Sequence, residues 1–199
     1  MKNSIKTFIT VIFCSTCLSL MAKQTNSGIY LTANDYYTHH LSYVLGAHDK
    51  LQLNAFLNNK NITITSQGKK IKLAKAAIFG YRIQGQDYRF FHNEAYTIID
   101  TAGFTLYGHE KLTQQFKGYK PVEHYYFSRQ TAAPVLELTL TNLENSFPEQ
   151  AGFRYNLQSY FSNETDLMGY DKAAHQYKLK YLYFQQQRIL AAHYQPANN

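Results

Sequence analysis

The segment Asn61–Leu73 constrains the fold most. Asn61 to Thr65 alternates polar and apolar residues, Gln67-Gly68 supplies a tight turn, and Lys69 to Leu73 alternates back. A two-residue turn pairs Ile64 with Ile71 and Ile62 with Leu73. The other face then carries Thr65 with Lys70 and Thr63 with Lys72. One register that sorts apolar from polar on both strands defines a half-buried antiparallel hairpin. The same logic repeats downstream. A turn at Gly85-Gln86 sets Ile83 against Tyr88, Tyr81 against Phe90 and Arg82 against Arg89. A turn near Ala102-Gly103 joins Tyr96–Ile99 to Phe104–Tyr107, with its register open. Glu123–Ser128 and Val135–Leu140 pair across residues 129–134, the second strand alternating through Leu136, Leu138 and Leu140. The 18 tyrosines and 13 phenylalanines suit strands.

Residues 28–140 therefore read as at least eight strands in an antiparallel meander, and residues 141–190 as helices. Strands followed by helices predict an α+β domain rather than alternating βαβ units. The meander closes into a barrel, packs as a sandwich or forms a curved sheet, and the sequence leaves these open. Thr32 to Asp35 has the spacing of a capping box that opens a short helical turn. Thr141 caps a turn through Phe147, and Pro148 opens a helix with Phe153, Leu157 and Tyr160 on one face. A longer helix starts at Thr165 or Asp166. Leu167, Tyr170, Ala174, Tyr177, Tyr181 and Phe184 form its apolar stripe, with Lys172, Lys178 and Lys180 off it.

The start of the chain has a different character. Met1–Lys6 holds two lysines and no acid, residues 7–21 are largely apolar, and Ala22 supplies a small residue for cleavage. That order predicts a signal peptide over residues 1–22 and a single α+β domain over residues 23–199. The apolar run is shorter than the roughly 20 residues of a membrane-spanning helix. The expected location is periplasmic or secreted. Cys14 and Cys17 fall inside the signal, so the mature chain has no cysteine for a disulfide, a thiolate metal site or a thiol nucleophile. Without Lys2 and Lys6, 18 basic residues face 13 acidic ones. No block of five or more basic residues appears, so there is no strong nucleic-acid signal.

Motifs for chemistry are sparse. No Gly-x-Ser-x-Gly elbow and no phosphate-cradling glycine loop occurs. His39 and His40 are adjacent, and His48, His92, His109 and His124 stand alone, without metal-ligand spacing. No cofactor or metal site is expected. Asp87, Glu94, Glu110 and Glu123 are the carboxylates available for a hydrolase site, with no spacing to pair them. Asn61-Ile-Thr63 and Asn163-Glu-Thr165 match the glycosylation sequon. The opposed Arg82 and Arg89 are the one local arrangement that calls for a partner, since like charges facing each other are unfavourable. Either an internal carboxylate (Glu94, Asp100 or Glu137) lies beside them, or two guanidinium forks hold an anionic ligand.

Several segments carry a family likeness: Gly28–Asp35, Leu41–Tyr43, Ile78–Arg82, Tyr88–Phe90, Tyr125–Ser128, Leu140–Pro148, and Tyr170–Lys172 with Tyr177–Leu179. In this order, over residues 28–184, the chain resembles small exported proteins of Bacteroidota with no assigned activity. The resemblance implies a Gram-negative envelope or secreted location and supplies no site residues. The expected function is a non-enzymatic exported module. The alternatives are a hydrolase whose site forms only in three dimensions, and an anion- or glycan-binding module using Arg82 and Arg89. Partners are unknown beyond a possible anionic ligand or protein.

Overall fold

The computed structural model describes residues 26–54, 59–116 and 118–193. The proposed signal segment, with Cys14 and Cys17, lies outside them. The main element is an open antiparallel sheet of eight strands in the order β11-β10-β9-β8-β7-β6-β1-β2. Its strands are β1 (Ser27–Tyr30), β2 (Tyr43–Leu45), β6 (Gly80–Ile83), β7 (Gln86–Phe91), β8 (Glu94–Asp100), β9 (Thr105–Gln115), β10 (Gly118–Ser128) and β11 (Leu136–Glu137). The edge strands β2 and β11 do not meet, so the barrel alternative gives way to an open sheet. A second sheet joins β3 (Lys50–Gln52), β4 (Asn61–Ser66) and β5 (Lys69–Ala74). Helices α2 (Leu140–Ser146), α3 (Ala151–Tyr160) and α4 (Lys178–His193) follow. The α+β class and the strands-then-helices order stand.

Alternation along the paired strands divides the main sheet into two faces. On one face, Leu106 and Phe127 pack with Phe104, Leu143, Phe147, Phe153, Leu157, Leu179 and Leu182 beneath the helices. Farther along the same face, Ile29, Tyr81 and Phe90 meet Ile62 and Ile64 of the smaller sheet. The opposite face is rich in tyrosine: Tyr30, Tyr96, Tyr107 and Tyr126 pack with Phe79, Ile98 and Val135. Tyr36 of α1 (Ala33–Tyr37) packs with them, and Thr32 and Asp35 form the expected capping box.

The β4–β5 register is the expected one, with Ile62 opposite Leu73 and Ile64 opposite Ile71. The β6–β7 register differs. Its turn is Gln84-Gly85, both at positive φ, so Tyr81 faces Tyr88, Arg82 faces Asp87 and Gly80 faces Arg89. Gly80 is required there, because a Cβ would strike the carbonyl oxygen of Tyr88. In the helical part, Thr139 rather than Thr141 caps α2, and α3 begins at Ala151, after Pro148. Phe153 and Leu157 are buried as expected, while Tyr160 is exposed.

The long helix from residue 165 is not formed. Asn163 caps a 3₁₀ turn over Glu164–Met168, and a small hairpin of β12 (Tyr170–Asp171) and β13 (Gln176–Tyr177) precedes α4. The Asp171 carboxylate accepts from the Ala173 and Ala174 amides, and His175 takes a positive φ of 51°. These local bonds compete with a helix. The helix therefore starts at Lys178 with a different phase, which buries Leu179, Lys180 and Leu182 and leaves Tyr181 exposed.

Candidate functional site

Arg82 and Arg89 lie on the tyrosine-rich face, displaced along the ladder rather than opposed, because Arg82 pairs with Asp87 and Arg89 with Gly80. Arg82 donates to both oxygens of Asp87, at 3.3 and 3.1 Å, and to the Gly85 carbonyl. Tyr30 donates to the same carboxylate at 3.0 Å, and burial pushes its phenol up. The anion beside Arg82 is thus Asp87, not Glu94, Asp100 or Glu137. Arg89 is buried and donates to the Tyr107 hydroxyl, the Ser128 hydroxyl and the Ala133 carbonyl. Ser128 donates onward to the Gln130 carbonyl, so Tyr107 donates to Ser128. The Arg89 guanidinium also lies 5.6–5.8 Å from the ring centroids of Phe79, Phe91 and Tyr107. It ties the 129–134 loop to the sheet. Both forks are engaged within the chain, which leaves little of either for a ligand.

Polar groups converge elsewhere, at the β7–β8 turn. His92-Asn93 turns the chain with both residues at positive φ and sends Glu94 into β8. The extended β9 brings His109 beside it. His109 Nδ1 lies 3.0 Å from the Ala95 carbonyl, which only accepts, so this nitrogen donates. Its Nε2 lies 3.3 Å from Glu94 Oε2, and Tyr96 donates to that same oxygen at 3.3 Å. Burial, reinforced by Glu94, pushes the Tyr96 phenol up. Lys75, from the 3₁₀ turn Lys75–Ala77, is 5% exposed with its ammonium 5.7 Å from the Phe90 ring centroid. Burial lowers its pKa, and Glu94 partly offsets that.

A cleft of about 460 Å³ is lined by the apolar and aromatic side chains of Leu53, Tyr81, Phe90 and Ala95 and by the polar ones of Lys75, Asn93, Glu94 and His109. A second depression of about 330 Å³ shares Lys75, Phe90 and Asn93 with it. The size is that of a small-molecule site. Among the described residues no serine, threonine or cysteine lines the cleft. Both nitrogens of His109 have partners within the chain, Nδ1 the Ala95 carbonyl and Nε2 the Glu94 carboxylate. Burial pushes the Tyr81 phenol far up, so it stays protonated.

Glu94 and His109 were visible in the sequence only as isolated carboxylate and imidazole. Lys75 and Asn93 carried no signal, since the cleft is assembled from segments as far apart in sequence as Leu53 and His109. Among Asp87, Glu94, Glu110 and Glu123, the structure uses Asp87 for Arg82 and Glu94 for His109. Glu123 instead accepts from Tyr125, and Glu110 pairs across the ladder with Glu123. Among the described residues, no group of three or more His, Asp or Glu side chains is placed to hold a metal ion. No described helix is long and apolar enough to cross a membrane. No protein-family model, curated protein or solved structure matches this chain.

Proposed function

We propose that the protein is a non-enzymatic exported module, periplasmic or secreted, that binds a small polyhydroxylated ligand of glycan type in the β7–β8 cleft. The carrying observation is the mixed lining of the cleft. Lys75 and Asn93 bring donors, and Glu94 and Asn93 bring acceptors, beside apolar and aromatic side chains. Hydroxyl groups satisfy donors and acceptors together, while a simple anion would be repelled by Glu94. Apolar lining with a few converging polar groups is the usual build of a binding pocket. The engagement of Glu94 with Tyr96 and His109, and of His109 with Ala95, favours binding over hydrolysis.

Ligand-observed NMR against a panel of neutral and acidic oligosaccharides tests the reading. A bound sugar is expected, with affinity at least tenfold lower for Glu94→Gln, or for Asn93→Gly, which keeps the positive φ available, at a near-unchanged melting temperature. Binding of inorganic anions alone, abolished by Lys75→Met, would replace the glycan reading with an anion site. Turnover of glycosidic or ester substrates that falls in Glu94→Gln would replace it with the enzyme.

A further inference from the structure

The outer parts of β9 and β10 form an arm. Within the main sheet, β9 pairs with β8 through Gly108 and β10 pairs with β11 only at Tyr126 and Phe127. From Lys111 to Gln115 and from Gly118 to Val122, the two strands pair only with each other among the described residues. Alternation gives the arm two faces. Leu112, Gln114, Tyr119 and Pro121 share one face, with Leu112 opposite Pro121 and Gln114 opposite Tyr119. Lys111, Thr113, Lys120 and Val122 share the other. Phe116 stands at the tip, fully exposed, with Leu112 71% and Tyr119 69% exposed. Three large exposed apolar side chains on one narrow projection differ from the scattered exposed residues elsewhere.

We infer that this arm docks the protein onto an anionic lipid surface, with the tip inserted between headgroups. Charge supports that occupant, because the sequence has no acidic residue from Lys111 to Val122. Lysines beside apolar and aromatic residues, with no acid among them, complement an anionic bilayer face. Depth supports it as well. At about 3.4 Å per residue, Tyr119 sits roughly 7 Å and Lys120 roughly 10 Å behind Phe116. Phe116 then reaches the acyl boundary, Tyr119 sits at the interface where aromatic belts form, and Lys120 meets the phosphates. Strand addition by a second copy is disfavoured on the β10 edge, since Pro121 has no N–H to offer a partner strand.

The chain has no tryptophan, so Phe116→Trp places a single indole at the tip. Mature protein carrying this change is mixed with phosphatidylglycerol-containing vesicles or with pure phosphatidylcholine vesicles. A blue shift with the anionic vesicles alone is expected. Flotation of the otherwise unaltered chain should show the same preference. Lys120→Gln should lower the partition coefficient about fivefold. Leu112→Ser with Phe116→Ser and Tyr119→Ser should abolish flotation at an unchanged melting temperature. Unshifted emission, equal binding to both vesicles, or flotation of the triple variant like the parent would overturn the inference. A concentration-dependent dimer lost in the triple variant, without vesicle binding, would assign the arm to self-association instead. Sugar binding in the cleft is read separately, and neither result depends on the other.

Discussion

At the scale of single residues, Lys180 departs furthest from its sequence reading. Periodicity set it among the solvated lysines, yet it is 1% exposed. Its ammonium donates to the carbonyls of Ala102 and Phe104, lies 3.6 Å from Asp100 and sits 3.8 Å from the Phe104 ring centroid. It closes the β8–β9 loop from the helix side. Burial outweighs these contacts and lowers its pKa from 10.5 to about 8. Between those values the folded chain holds fewer protons than the unfolded one, so stability rises with pH across that window. The full rise is roughly 3 kcal/mol, and below about pH 8 none of it is present. Lys75, also lowered by burial, acts in the same sense, and the tyrosines raised by burial act in the opposite sense above about pH 10. Urea unfolding of parent and Lys180→Met between about pH 7.5 and 9.5 isolates the effect. The parent should gain stability across the range and Lys180→Met distinctly less. Equal slopes would place the ammonium in water. The arginines teach the same lesson. Arg82 was recognisable as a charge needing a carboxylate, but Asp87 became its partner only through a register that the turn decides.

Elements were legible where the turn chemistry was read correctly. Gln67-Gly68 forms the turn that its residue types imply, and every β4–β5 pair follows from it. The β6–β7 turn holds the same dipeptide, Gln84-Gly85, with matching positive φ values of 50° and 83°. A turn one residue later, at Gly85-Gln86, would shift each strand partner by two and oppose the two arginines, which the Gln84-Gly85 turn does not. The last helix failed for another reason. A 3-4 spacing ran through residues 167–184, but Gly169 and Asp171 break it, and the Asp171 turn satisfies backbone amides locally. The phase that results is testable. Leu182→Ala, at a fully buried position, should cost about 2–5 kcal/mol. Tyr181→Ala, one residue away and 43% exposed, should cost about 1 kcal/mol or less. Denaturant melts showing the reverse order would mean that the helix is rotated from the phase described here.

At the scale of the whole molecule, the main sheet has unequal support along its strands. One face is covered by the helices and by the smaller sheet, and the tyrosine face is closed by α1 and the 129–135 segment. Among the described residues, the arm alone is covered by neither. The order of strands and helices was legible because hairpins are local, whereas the cleft depends on which distant elements line it. The arm was invisible because His109 to Val122 has no sustained apolar alternation, and its pairing is an extension of the better-patterned strands beneath it. Its thermodynamics follow from its isolation. A two-stranded hairpin without a packed face is marginal in water, so its ladder should open with a free energy near zero. The central strands β6 to β9, with Tyr81, Phe90, Leu106 and Tyr107 buried on the two faces, open only with most of the global unfolding energy. Hydrogen–deuterium exchange of the free protein should therefore show amides of residues 111–122 exchanging within seconds. Amides of residues 80–83 and 105–108 should be protected by orders of magnitude more. Protection of the arm equal to that of the central strands in the lipid-free monomer would mean that another part of the chain covers it, and the exposed face assigned to Leu112, Phe116 and Tyr119 would be wrong.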